Sequence, residues 1–284
     1  MLAVGPGSAS ASQYPDVPWP ELLPPFPVSA TNQPGPIPHC RHGRIACVDR
    51  TIGRMKRLQG RLGCDHRGVF ATTYLTLSRE LRPAIAHGTF ADRRYLSYQV
   101  ADFANYYFRT LHRYERGEAV PEAWRIAMDT ASHGEVNAAQ DMLLGINAHV
   151  QRDMPFVVAD LGLVTPKGKS RKPDHDRGNV VLNAAYQKVV DAIRERYDPA
   201  LAFTNANGSP ADDALGMEMV KGWREGVWRN AERLVNAKTR DEYRQVADSI
   251  EANAANWARM ISAVPQPGYR AQRDAYCQSK LSGG

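Results

Sequence analysis

The sequence predicts an all-α fold: a single helical domain of about eight mostly antiparallel helices carrying an extended, proline-rich N-terminal arm. Three observations predict it. From about residue 45 onward, apolar residues recur at steps of three and four, the period of one helix face. The alternation of a half-buried strand is nearly absent. Prolines crowd the first 44 residues, among them those at 15, 18, 20, 24, 25, 27, 34, 36 and 38. Each fixes φ and removes a donor, so neither helix nor stable strand is expected there.

The arm, residues 1–44, carries Trp19, Leu22, Leu23 and Phe26, apolar side chains with which a strap can pin itself to the body. The helical body is expected over 45–270. Its first helix has a stripe of Val48, Ile52, Met55 and Leu62, with Arg50, Arg54, Lys56, Arg57 and Arg61 mostly opposite; this reads as a solvated face rather than a phosphate-binding patch. A second helix ends near His87, ahead of Gly88. The next is drawn by Leu96, Val100, Phe103, Tyr107, Leu111 and Tyr114. Pro121 is expected as the first residue of another, since its missing N–H has no partner to lose there. The central helix starts near Gly134, runs through Gln140, Met142, Leu143, Ile146 and His149, and should stop or kink after Asp153, because Pro155 disfavours helical geometry at Met154. Thr165–Ser170 reads as a polar loop. Leu182, Tyr186, Val189, Ile193 and Tyr197 follow on one face. Leu215, Met219, Trp223, Val227, Ala231 and Leu234, then Tyr243, Val246, Ile250, Trp257 and Ile261, predict two long helices paired antiparallel. Residues 271–284 are expected as a C-terminal tail. No repeat of solenoid period is present.

Composition bounds the function. Of 284 residues 43% are hydrophobic and 23% charged, ordinary for a globular protein. No run approaches the ~18 apolar residues of a membrane span, and the N-terminus has neither the basic nor the apolar region of a secretory signal. A cytoplasmic protein without membrane attachment is expected. The net charge of +6 favours anionic partners only weakly, and no nucleic-acid-binding motif accompanies it. Cys40, Cys47, Cys64 and Cys277 form no CxxC pair and read most simply as free thiols, with a Cys40–Cys47 bridge open only to an oxidising setting. GxSxG, GxGxxG and P-loop patterns are missing, so no nucleotide cofactor is expected. His133 and Glu135 form an HxE without a downstream PCxxC, which removes the zinc-deaminase reading.

Chemistry concentrates in Gly145-Ile-Asn-Ala-His149-Val-Gln-Arg-Asp153-Met-Pro155. A helix places His149 and Asp153, four apart, on one face, where imidazole and carboxylate can converge on one metal or substrate. A helix ending here would leave Asp153 at the negative end of the dipole, in need of a metal, arginine or lysine. A metal needs further ligands. Asp102, beside the stripe of its own helix, and His175 or Asp176 on a third helix are the candidates; with His149 and Asp153 they make an N/O-rich set suited to zinc, iron or manganese. Asn105, Tyr106, Asn147 and Asn183 are candidates to orient a substrate. Two blander readings stand beside this one: a buried pair in which Asp153 fixes the His149 tautomer, and a metal-free binding or catalytic pair.

Two resemblances arise at these residues. The stretch from about Val48 to Trp228, with FADRRYLSYQVADFANYYF, PEAWR, QDMLLGINAHVQRDMPF and VVLNAAYQKV, resembles a bacterial family of unknown function whose signature reads NAHxxxDLP. Asn147, Ala148, His149, Asp153 and Pro155 match it, with Met154 in place of leucine. The resemblance implies a helical fold and a site formed by Asp102, Asn105, Asn147, His149 and Asp153. Locally, GINAHVQRDMP is similar to the HxxxD helix of zinc-dependent phospholipase C and the single-strand-specific zinc nucleases, whose His and Asp bind zinc. Their downstream HxxxE or HxxxD has no counterpart after Asp153, so at most one or two metals are implied rather than a trinuclear cluster.

The sequence thus points to a metal-dependent enzyme acting on a small molecule, with hydrolysis of an ester or phosphoester as the natural class and His149 and Asp153 as catalytic residues. The alternative is a metal-free helical protein that holds a mostly apolar small molecule, as carrier or tailoring enzyme, using the same pair for binding or proton transfer. Nothing in it fixes an oligomeric state.

Overall fold

Helix-period apolar stripes, each too wide to leave in water, fold the chain into stacked helices. The structure, a computed structural model, describes residues 17–28, 37–203, 210–266 and 268–282. Its α-helices are α1 (Trp19–Leu22), α2 (Ile45–Leu62), α3 (Gly68–Ala86), α4 (Arg93–Glu115), α5 (Glu122–His133), α6 (Ala138–Asn147), α7 (Met154–Leu161), α8 (Lys172–Arg196), α9 (Pro210–Asn236), α10 (Arg240–Ser262) and α11 (Tyr269–Ser282). A π-helical turn, Ala148–Asp153, joins α6 to α7, and a 3₁₀ turn follows α8. Among the described residues there is no strand, only the isolated bridges Ile37–Cys40 and Val164–Ser170. They form one all-α domain.

Local chemistry sets the boundaries. Asp92 caps α4 by accepting from the Tyr95 N–H, and Thr239 caps α10 by accepting from that of Glu242. Gly134, expected near the start of the central helix, instead ends α5 in the left-handed region at φ 65°. The central helix begins at Ala138 behind a capping box of Asn137 and Gln140. The three residues between α9 and α10 force antiparallel neighbours, and the Trp223 and Trp257 rings meet edge to face at 5.2 Å.

Both ends depart from expectation. Proline does not prevent α1, because Pro20 sits in its first turn, where no N–H is required. The strap lies along α9: Trp19 packs over Gly222, the Phe26 N–H donates to Glu232 (3.0 Å), and Asn236 donates to the Pro27 carbonyl (2.5 Å). Leu22 and Phe26 remain exposed, so backbone hydrogen bonds and Trp19 hold the strap rather than all four apolar residues. The stretch expected as a tail is helical to Ser282. Its Arg273 is buried and donates to Asp141 (2.8 Å) and the Val136 carbonyl (2.7 Å). Nor are the cysteines free: Cys40 pairs with Cys47, and Cys64 with Cys277 across a separation of 213 residues.

Candidate functional site

The opening motif does not end its helix. Proline removes the N–H that would bond four residues back, and its ring presses on that residue's carbonyl, here Gln151. The chain widens to a π-turn instead: the Met154 N–H donates to the His149 carbonyl, five residues back, and α7 restarts with Pro155 in its first turn. Asp153 therefore lies at the end of a π-turn between two α-helical segments, fully buried.

Three donors converge on its carboxylate. Trp124 Nε1 of α5 donates to Oδ2 (2.8 Å), His149 Nδ1 lies 3.1 Å from the same oxygen, and Arg152 donates to Oδ1 (2.9 Å) while also holding Glu251 of α10 (2.9 Å). With the helix continuing, burial rather than a helix end is what asks for a cation beside Asp153, and Arg152 provides it. A carboxylate only accepts, so His149 carries its proton on Nδ1 and presents Nε2 as an acceptor. Nε2 is buried and has no protein partner. Aromatic rings enclose the imidazole: Phe103 stacks on it at 3.4 Å and 5°, with Tyr74 at 4.8 Å and Phe70 at 5.7 Å. Burial lowers the His149 pKa, partly opposed by Asp153, so the ring is neutral at pH 7. Gly145 makes this packing possible, since a Cβ there would lie 2.3 Å from the Phe70 ring.

His149 lines a cavity of about 320 Å³ bounded by α3, α4, α6, the π-turn, α8 and α9. Its walls are mostly aliphatic and aromatic, among them Leu77, Val100, Leu143, Leu182 and Val220, and its few polar members include Thr73, Tyr74, Gln99, Asp174, His175 and Arg224. That mixture is the ordinary anatomy of a small-molecule site.

The other predicted site residues scatter. Asp102 is half-buried on α4 and does not line the cavity; burial raises its carboxyl to about 6, with Asp160 adding and Arg109 opposing. Asn105 accepts from Arg54 (2.8 Å) and donates to the Pro38 carbonyl (3.0 Å), pinning the segment before α2. Tyr106 packs under Arg109. Asn147 donates to the Ala254 carbonyl (2.9 Å) and accepts from Gln151 (2.7 Å), clamping the π-turn to α10. Asn183 is exposed. Asp176 pairs with Lys172 at the surface (2.8 Å). His175 alone joins His149 on the cavity wall, its Nε2 donating to the Arg224 carbonyl (2.9 Å). This scatter has one cause. Spacing gives the helix face but not the neighbour that occupies it.

The proposed metal ligands do not fit a metal. No three His, Cys, Asp or Glu side chains among the described residues could hold one ion. The lone pairs of Asp153 already face Trp124, His149 and the Arg152 guanidinium, which would repel a dication.

Two contributors escaped the sequence reading. Trp124 stands in PEAWR, but nothing local ties it to Asp153. Arg224 did leave a signal: Val220, Arg224, Val227 and Ala231 advance by four, three and four, which sets an arginine within an apolar stripe.

No curated protein and no solved structure matches the chain. With the NAH and DMP residues folded around a buried imidazole, a family model covers the helices that build the site: over residues 48–264 the chain belongs to a family of unknown function, DUF5995.

Proposed function

We propose that the protein binds an apolar small molecule between its helices, with His149 Nε2 accepting a hydrogen bond from that molecule. One observation carries this reading: a buried imidazole nitrogen without a protein partner, on the wall of an apolar cavity of about 320 Å³. A buried acceptor left unmatched costs ~1–3 kcal/mol, so a ligand hydroxyl or N–H gains from filling the place. Asp153 supports the binding by fixing the tautomer. Metal-dependent hydrolysis of an ester or phosphoester draws no support from the arrangement of Asp102, His149, Asp153, His175 and Asp176.

The carboxylate behind the imidazole favours a second reading at the same place. A base at Nε2 that takes a proton from the ligand becomes a cation, and Asp153 at 3.1 Å would stabilise it. A tailoring enzyme would use that step; a carrier would not. The two disulfides favour an oxidising compartment over the cytoplasm. Denatured, unreduced protein should then show no thiol reactive toward Ellman's reagent.

Titration with the neutral fluorophore N-phenyl-1-naphthylamine tests the binding reading. Saturable fluorescence enhancement is expected, weakened at least about tenfold in Leu143→Trp and Leu182→Trp, which fill the cavity, and weakened also in His149→Phe, which removes the acceptor. Enhancement that never saturates, or that both tryptophan variants leave unchanged, would refute it.

A further inference from the structure

Four arginines are buried among the described residues, and three of them face a carboxylate. Arg171 reaches Asp92 (3.3 Å), Arg229 reaches Glu225 (2.5 Å) and Glu232 (2.7 Å), and Arg273 reaches Asp141 (2.8 Å). Arg224 is the exception, with no carboxylate in ion-pair range among the described residues. Its Nε donates to Asn179 (2.5 Å) and one terminal nitrogen to the His175 carbonyl (2.5 Å), both neutral; the other meets only the Met154 thioether at 3.6 Å, a weak acceptor. The acids nearby are engaged elsewhere. Asp174 accepts from the Ala91 and Asp92 N–H groups and from Arg177, and Asp176 holds Lys172.

A buried cation without a partner is expensive, and proteins seldom keep one unless something else supplies the anion. Burial holds Arg224 at about 10, still cationic at neutral pH. The guanidinium lines the same cavity as His149. The backbone makes room for it: a Cβ on Gly178 of α8 would lie 2.7 Å from the Arg224 terminal nitrogen. His175, also on the cavity wall, leaves Nδ1 buried and without a partner beside it.

Resting on the reading of this cavity as a ligand site, we infer that its ligand is an apolar monocarboxylic acid whose carboxylate docks on Arg224. One guanidinium balances one negative charge, and its planar fork of N–H donors matches a planar carboxylate. A phosphate dianion would leave net charge buried. The aliphatic walls take the hydrocarbon body of the acid, and an apolar neutral compound of the same length lacks the ion pair.

Competition against bound N-phenyl-1-naphthylamine, with dodecanoic acid and dodecan-1-ol as the matched pair, tests this. In the unaltered protein the acid should displace the probe at about tenfold lower concentration than the alcohol. Arg224→Met should bring the two within about threefold, and Arg224→Lys, which keeps the charge, should restore part of the preference. Equal displacement by acid and alcohol in the unaltered protein overturns the anion dock and leaves the apolar site standing. Failure of both to displace a bound probe overturns it too. Failure of the probe itself to bind brings down the cavity reading beneath it. The comparison in unaltered protein needs no variant to fold.

Discussion

Replacing Asp153 by asparagine isolates the carboxylate at the centre of the site. The amide has nearly the same shape but carries an NH₂ where one oxygen stood, and every neighbour of Asp153 is a donor: Trp124 Nε1, His149 Nδ1 and the Arg152 guanidinium. Trp124 and Arg152 can never accept. The cheaper of the two placements keeps the carbonyl at the Oδ2 position, where it still receives Trp124 and His149, and turns the NH₂ toward Arg152. Arg152 is 22% exposed and retains Glu251, so it can move away without becoming an orphan. What is lost is one charge-assisted hydrogen bond, worth ~1.5–3 kcal/mol, and the charged character of two others, roughly another 1 kcal/mol together. The expected destabilisation is ~3 kcal/mol, or about 6 °C in Tm for a chain of this length.

Urea unfolding followed by tryptophan fluorescence measures the first quantity. Nitrogen-15 NMR of the imidazole reports the second, which should show Nδ1 protonated in both the unaltered protein and Asp153→Asn. Because the tautomer survives, Asp153→Asn should bind the neutral probe within about threefold of the unaltered protein. A loss below about 1 kcal/mol, or an Nε2–H tautomer in the unaltered protein, would refute the account of this network.

Burial depresses the His149 pKa and holds that of His175 well below its ordinary value, so below about pH 6.5 the unfolded chain takes up protons that the folded one refuses. Charging these two histidines in the unfolded chain should therefore cost stability as pH drops from 6.5 to 5.5, and over that interval the unfolding free energy of His149→Gln should gain on that of the unaltered protein, by at most ~1 kcal/mol; parallel unfolding free energies would contradict it. Gly145→Ala would drive a Cβ to 2.3 Å from Phe70, so a loss of ~1–3 kcal/mol is expected despite the better helix propensity of alanine, and an unchanged urea midpoint would show that the ring yields freely. Removing the Cys64–Cys277 bridge in the double Cys→Ser variant frees a loop with a sequence separation of 213 residues, which should cost ~2–5 kcal/mol and expose α11 to limited proteolysis; a protease-resistant α11 would mean that Arg273 and its partners suffice.

Legibility in the sequence followed the range of the physics involved. Periodicity acts over one or two turns, and it placed the stripes of α2, α4, α8, α9 and α10 from residues such as Leu96, Val100 and Phe103. The His149–Asp153 contact is equally local and was legible from spacing alone. Pro155 reads as a stop or a kink because the rule concerns an α-helix; a π-turn removes the conflict by moving the Met154 bond to a carbonyl five residues back, and α7 follows at once. Contacts across the fold left less trace. Cys64 and Cys277 pair because α11 folds back onto the body, and Trp124 reaches Asp153 only because α5 packs beside the π-turn.

Arg224 lies between these cases, and it shows what a sequence can offer at the proposed ligand site. An arginine set within an apolar stripe is a local conflict between period and polarity. Such a conflict is tolerated where a partner resolves it. In α9 the same helix also carries Arg229, for which Glu225 and Glu232, one turn to either side, provide the partners within four residues. Arg224 has no such acid one turn away, since Val220 and Trp228 occupy those places. The difference between the two arginines is therefore written in the sequence: one is completed by acids of its own helix, and the other finds none there, which is where the proposed anion would serve.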